Sequence, residues 1–349
     1  MDNIKWKEFQ FDDINLQIIN SKAYHSANIT ECENSETGIP YLTRTQFNNS
    51  FNCCVKNGEY KLNPSNTISF GAESACFFYQ PYKYITGNKM YYIQSEYINK
   101  YIGLFLRCSL QSCVEGCFSF GNGMIPERVK KKKIMLPINH NEEPNWEYME
   151  QYMITLEAEK KDRYICYCKF ELTQMQQKYL PDLESVQWRY FLVNDVFHKP
   201  QRGKRIVEKN HIVGNTPLVS SYGQENGITN FIGNEEKVKK FTDCLSIANG
   251  GSSAGKTFYH PYTFIAADHV TQCWNKELNK YQYLFLATVM TKALTGKYSF
   301  SHEISDPRLA KERIMLPVTE SGEPDYNYME QYIKNLMIKK YQSYLDYVE

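Results

Sequence analysis

Nothing in this chain resembles a membrane span: no run approaches the roughly 18–20 consecutive apolar residues that a transmembrane helix needs. Residues 1–9 are polar and charged, unlike a secretory signal, so the expected location is the cytoplasm. A charge excess is also missing. With 40 Lys and Arg against 39 Asp and Glu the net charge is +1, so any nucleic-acid face has to be a local feature of the surface. Metal-site spacing is absent too. The eleven cysteines are scattered, and Cys53-Cys54, Cys113/Cys117 and Cys166/Cys168 do not combine into finger or ribbon patterns. Reduced, mostly buried thiols are expected, with no disulfides and no metal. His25, His198, His211, His260 and His269 have no partner at nucleophile or ligand spacing and read as surface or satisfied core residues.

Aromatic residues, by contrast, are abundant: 28 Tyr and 19 Phe bring the aromatic fraction to 15%, which favours strand-rich modules. A length of 349 residues has room for about two domains.

Two is also what an internal repeat indicates. Residues 118–152 and 298–332, offset by 180, agree at 15 of 35 positions, where composition alone gives roughly two matches. The identities include Ser119-Phe120 with Ser299-Phe300, Ile134-Met135-Leu136-Pro137 with Ile314-Met315-Leu316-Pro317, and Tyr148-Met149-Glu150-Gln151-Tyr152 with Tyr328-Met329-Glu330-Gln331-Tyr332. The same offset aligns Phe78-Tyr79-Gln80-Pro81 with Phe258-Tyr259-His260-Pro261. Trp6-Lys7-Glu8-Phe9 and Trp188-Arg189-Tyr190-Phe191 read as the two module starts, whereas residues 38–49 have only a loose counterpart in 216–233.

Each half passes from short aromatic runs broken by Gly, Asn and Pro, which read as strands and turns, to a helical stretch opening near Pro144 or Pro324. Apolar residues then recur every three to four positions: Trp146, Met149, Tyr152 and Leu156 in the first half, Tyr326, Met329, Tyr332 and Leu336 in the second. These stripes are expected to pack helix on helix, antiparallel, about an approximate two-fold axis. A helix of about 25 residues is about 37 Å long, close to the ~34 Å turn of B-DNA. The expected fold is α+β: a first module at 1–143, a spacer helix at 144–181, a second module at 182–323 and a C-terminal spacer helix at 324–349.

The duplicated segments Ile314-Met315-Leu316-Pro317 and Glu323-Pro324, running into Met329-Glu330-Gln331-Tyr332, resemble those of specificity subunits of type I restriction-modification systems and of relatives with fused methyltransferase-nuclease partners. Thr43-Arg44-Thr45 with Asn48-Asn49, followed by Asn66-Thr67-Ile68 and Phe78-Tyr79-Gln80, is similar to a target recognition domain of that family. The resemblance implies a chain without catalysis of its own, a bipartite double-stranded DNA target, and two docked methyltransferase subunits. Those subunits would carry S-adenosylmethionine and, in restriction systems, Mg and ATP chemistry. The chain has no Asn-Pro-Pro-Tyr or Asp-Pro-Pro-Tyr motif of a methyltransferase.

Residues 250–257, Gly-Gly-Ser-Ser-Ala-Gly-Lys-Thr, fit the phosphate-loop pattern and offer a rival reading, a nucleotide hydrolase. Such a loop must open a helix, but residues 258–265 are aromatic, β-prone and interrupted by Pro261, so a strand-to-strand loop is expected. A duplicated protein-interaction scaffold is the third reading.

On a common frame, loops that differ between the halves are where different bases can be read. Arg pairs with guanine, and Asn or Gln with adenine, through two hydrogen bonds each. This nominates Arg44, Asn48 and Asn49 in the first module and Ser221, Tyr222, Gln224 and Asn226 in the second. Lys83, Lys89, Lys204, Arg205 and Lys256 are phosphate-contact candidates, which position the protein without reading sequence.

Overall fold

A computed structural model describes residues 4–32, 37–118 and 121–348; the repeat match at Ser119-Phe120 and the first three residues of the polar start lie outside these. The chain folds as two compact units, residues 1–164 and 165–349. Among the described residues no helix is long and apolar enough to cross a membrane.

The first unit contains β1 (Trp6–Phe9), β2 (Gln17–Asn20), β3 (Ile39–Leu42), β4 (Phe51–Val55), β5 (Thr67–Gly71), β6 (Phe77–Gln80), β7 (Ile85–Thr86) and β8 (Met90–Gln94). These are followed by α1 (Lys100–Val114), α2 (Pro126–Val129), β9 (Ile134–Pro137) and the start of α3 (Trp146–Thr173). One sheet has the order β2-β8-β5-β6, a second has β4-β3-β7 with β3 and β7 parallel, and β1 pairs antiparallel with β9. Helix α1 covers the four-stranded sheet. Its buried residues Ile102, Phe105, Leu106, Leu110 and Val114 recur at helical spacing and pack on Ile68, Phe70, Phe77 and Ile93.

The second unit repeats this plan. It contains β10 (Trp188–Leu192), α4 (Val193–Val196), β11 (Gln201–Arg202), β12 (Val213–Val219), β13 (Ile228–Ile232), β14 (Lys240–Phe241), β15 (Cys244–Ala248), β16 (Thr257–His260), β17 (Phe264–Ala266) and β18 (Val270–Cys273). Then come α5 (Lys280–Leu294), α6 (Asp306–Ala310), β19 (Arg313–Pro317) and α7 (Tyr326–Val348). The sheet order β11-β18-β15-β16 matches the first unit, and β12 again lies between its hairpin partner β13 and the parallel strand β17, with β14 added at the edge. Register is kept at the module boundary: Trp6 faces Pro137 and Trp188 faces Pro317. The duplication is therefore α+β, as expected, with mixed as well as antiparallel sheets, and it extends through the hairpin regions where sequence identity fades.

The long helices depart from expectation in three ways. They start at Trp146 and Tyr326, after Asn145 and Asp325, whose side chains accept from the amides of Tyr148 and Tyr328. Pro144 and Pro324 therefore precede the cap instead of opening the helix. Secondly, α3 ends at Thr173, well short of 181. In the second unit the stretch beyond Thr173 runs antiparallel to α7, with Lys178 beside Asn335 and Pro181 beside Tyr328. Its backbone is satisfied by α7 side chains: Asn335 donates to the Lys178 carbonyl, Gln331 to that of Gln176 and Tyr328 to that of Pro181. With those partners supplied from outside, the segment has no need of helical hydrogen bonds.

Thirdly, most of the apolar stripe docks on its own module. Met149 is fully buried in the first core beside Trp146, and Met329 in the second beside Tyr326 and Tyr332. Tyr152 sits edge-on against Phe105, Leu156 is half-buried, and Leu336 is largely exposed. Packing between helices in the second unit comes from residues further along, Ile165, Cys168 and Leu172 with Met337, Tyr341 and Leu345. A helix that starts against a sheet-backed core buries its first turns there, leaving only later turns for a neighbouring helix.

Candidate nucleic-acid interface

In both units the hairpin flanked by a parallel strand ends in the same turn. Leu42 faces Phe51 across the first and Val219 faces Ile228 across the second, a constant offset of 177. Between them, three successive residues are left-handed: Asn48, Asn49 and Ser50 at φ 49°, 53° and 64°, and Glu225, Asn226 and Gly227 at 50°, 53° and 75°. L-residues adopt this region at a cost that Asn and Gly reduce, and consecutive left-handed residues persist only where surrounding bonds over-determine them.

Those bonds are visible. In the first unit the Ser50 amide donates to the Phe47 carbonyl at 3.0 Å and the Ser50 hydroxyl to the Thr43 carbonyl at 2.9 Å. Asn49 Nδ2 donates to the Tyr79 carbonyl at 3.0 Å, while buried Gln80 donates through Nε2 to the Asn49 carbonyl at 3.1 Å and to Ser69 Oγ at 2.9 Å. In the second unit the Gly227 amide donates to the Gln224 carbonyl at 2.7 Å. His260 takes the place of Gln80: its Nε2 lies 2.7 Å from Ser246 Oγ and its Nδ1 3.3 Å from the Tyr262 hydroxyl, and Tyr262 in turn hydrogen-bonds Asn226. Burial holds the His260 imidazole down to about 4, so it is neutral at physiological pH. Both turns thus lie over a buried polar residue anchored to one serine of the central strand.

The nominated residues fall around these turns with unequal freedom. Asn48, Gln224 and Asn226 are exposed at the tips. Asn49 is exposed at the tip with its amide donating to the Tyr79 carbonyl, as Asn226 is hydrogen-bonded to Tyr262. Arg44 is paired with Glu73 at 2.5 Å, and Lys89 reaches the other oxygen of that carboxylate at 3.3 Å. A base contact by Arg44 therefore requires exchange of that partner. Ser221 donates to the Gly250 carbonyl at 2.7 Å, tying the hairpin to the neighbouring glycine-rich turn, and Tyr222 is half-buried. Lys83 is exposed between β6 and β7, Lys204 and Arg205 are exposed after β11, and Lys256 is half-buried in the turn between β15 and β16.

That last turn is residues 250–257, and it is no phosphate loop. Strands β15 and β16 pair antiparallel across it, the Ala248 amide donates to the Lys256 carbonyl, and Thr257 begins a strand instead of a helix. The glycines open only a three-residue 3-10 turn, Gly251–Ser253, which ends at Ala254 before Lys256. Among the described residues no cluster of three or more His, Cys, Asp or Glu can hold a metal.

His260, expected as a surface or satisfied core histidine, is the latter, and the anchoring role it shares with Gln80 had no sign in the sequence beyond a single mismatch in an otherwise matched tetrapeptide. Sequence reasoning passed over Lys292, which borders a groove beside the second tip.

Two copies of one frame thus carry exposed tips that differ in their donors and acceptors. The chain belongs to the family of type I restriction-modification DNA specificity domains, whose model matches it twice, at residues 3–164 and 185–344. Its function is DNA recognition within a restriction-modification system.

It is similar to the specificity subunit S.BcgI of a type II restriction enzyme from Heyndrickxia coagulans, 26% identical over 339 residues and 95% of each chain. Among solved structures it is similar to the S subunit of the type I system of M. genitalium, at 16% identity and TM-score 0.45, covering 99% of this chain and 93% of that one. The HsdS subunit of Thermoanaerobacter tengcongensis aligns at 12% identity and TM-score 0.32, covering 99% and 92%.

Proposed function

We propose that this chain reads a bipartite double-stranded DNA target, one half-site per module, and carries out no chemistry itself. The observation that carries the reading is the pair of hairpin turns: the same left-handed backbone held over a buried anchor, presenting Asn48 in one module and Gln224 and Asn226 in the other. Different donors and acceptors on one frame are what two unlike half-sites require. Phosphate contacts from Lys83, Lys89, Lys204, Arg205 and Lys256 fix the register.

Methyl transfer from S-adenosylmethionine, and any Mg- and ATP-dependent cleavage, belong in this reading to two methyltransferase or methyltransferase-nuclease subunits working with the chain in the cytoplasm. An exposed apolar face present in both modules supports two copies of one partner. Met135 and Met315 are exposed at matching positions, and the equivalent Trp6 and Trp188 stack on Phe105 and Phe285, Trp6 exposed and Trp188 half-buried. The long helices serve as an antiparallel coiled-coil spacer between the two readers.

The test is methylation-sensitive long-read sequencing of cells expressing the methyltransferase with and without this chain. A split motif methylated only in its presence is the expected result. Methylation independent of the chain overturns the proposal and favours the interaction-scaffold reading.

A further inference from the structure

Beside the second hairpin tip lies a groove of about 790 Å³ between the β15–β16 turn and α5. Asn226 stands at its rim, and Lys256, Lys292, Thr288, Thr291 and Thr295 supply its polar lining. None of the lining residues is a carboxylate.

The two ammonium groups differ from many of their neighbours. In the same unit Lys240, Lys280, Lys297 and Lys334 each pair with a glutamate. Lys256 and Lys292 have no carboxylate partner among the described residues. Two lysines without a carboxylate partner on opposite walls of one groove whose lining holds no acid form a local anion site.

The first unit lacks this feature although its frame is the same. Its β5–β6 turn has five residues, 72–76, where the β15–β16 turn has eight, 249–256. Thr291 Oγ1 accepts from the Thr257 amide at 3.1 Å, and Gln111 Oε1 accepts from the Phe77 amide at 3.1 Å, which fixes the equivalence of the two helices. At the offset of 180 that this bond shares with the repeat, Cys76 stands for Lys256, Cys108 for Thr288, Ser112 for Lys292 and Glu115 for Thr295. Both lysines are lost and a carboxylate is added, while the cation at the place of Ala287, Arg107, is turned onto the Phe77 carbonyl at 3.0 Å.

We infer that the groove between the β15–β16 turn and α5 holds the phosphate backbone of one DNA strand at the second half-site, with Lys256 and Lys292 contacting phosphates and the threonine hydroxyls available between them. This rests on the DNA-reading function proposed above and adds an asymmetry: the second module has a phosphate track that the first does not. Contacts of this kind position the duplex and add salt dependence without adding sequence preference.

The experiment measures affinity of the assembled complex, this chain with its methyltransferase, for target duplex across about 50 to 200 mM salt. Each phosphate contact contributes about −0.9 to the slope of log K against log salt. Lys256→Ala and Lys292→Ala are each expected to shallow the slope by about one, and the double variant by about two. Discrimination against a duplex altered in the second half-site stays as in the wild type. The double arginine variant keeps the slope, and Lys297→Ala, whose ammonium is already paired with Glu312, leaves it unchanged. A double alanine variant that retains the full slope overturns the groove assignment while leaving the DNA-reading function standing. A wild-type complex without salt-dependent, sequence-selective binding overturns both.

Discussion

At position 260 the second module buries a histidine where the first, at position 80, buries a glutamine, both against a serine of the central strand. The substitution makes one module acid-sensitive. His260 titrates near 4 in the folded protein and near 6.5 when unfolded. The unfolded chain therefore binds the proton first, so the stability contribution is intact above about pH 6.5 and is lost as pH falls from there toward 4, amounting to about 3 kcal/mol. His260→Gln, the residue the sister module uses, is expected to keep the fold and to flatten the fall in Tm between pH 6.5 and 4. An undiminished fall in that variant would assign the acid sensitivity to other groups. This pair was legible in the sequence as one mismatch in a matched tetrapeptide, but its meaning was not, because only the fold brings Ser69 and Ser246 beneath it.

Among the elements, the helices show where reading by periodicity succeeds and where it stops. The apolar spacing located α3 and α7, since burial against a core leaves a period in the sequence, though the expected starts at Pro144 and Pro324 fall two residues early. The end of α3 at Thr173 left no such mark, because the segment beyond it is held by Gln331 and Asn335, about 155 residues away. The hairpin turns were equally silent: a left-handed tip needs only residues that tolerate positive φ, and Asn48-Asn49-Ser50 and Glu225-Asn226-Gly227 meet that need with one residue in common.

A repeated bond joins core helix to long helix. Asn99 caps α1 and donates to Glu150 at 2.8 Å; Asn279 caps α5 and donates to Glu330 at 2.6 Å. Burial alone would raise the Glu330 carboxyl, but hydrogen bonds from Lys334 and Asn279 outweigh it and hold it below the ordinary value. Asn279→Ala should destabilise the protein by about 1 to 2 kcal/mol through loss of both cap and bond. Asn279→Ser, which keeps a cap but is too short to reach Glu330, should recover about half in denaturant unfolding. Equal losses in the two variants would mean that the bond to α7 carries the whole effect.

For the whole molecule, duplication explains why composition said so little about DNA. On the reading proposed above, a near-neutral chain meets a polyanion through cations placed locally by its fold, and the modules need not place them alike. The repeat and the α+β class were legible because packing demands the same apolar frame in both halves. The candidate readers were legible by residue type alone, and only the fold shows that Asn49, Arg44 and Ser221 have partners in Tyr79, Glu73 and Gly250.

The central claim, that each tip reads its own half-site, is tested most directly by grafting one tip onto the other module. Residues 43–50 and 220–227 have equal length and the same turn, so the second can replace the first without changing register. Methylome sequencing with the grafted chain should then show a split motif altered in one half only, the other half and the gap being retained. A motif unchanged in both halves, or changed in both, would contradict the account.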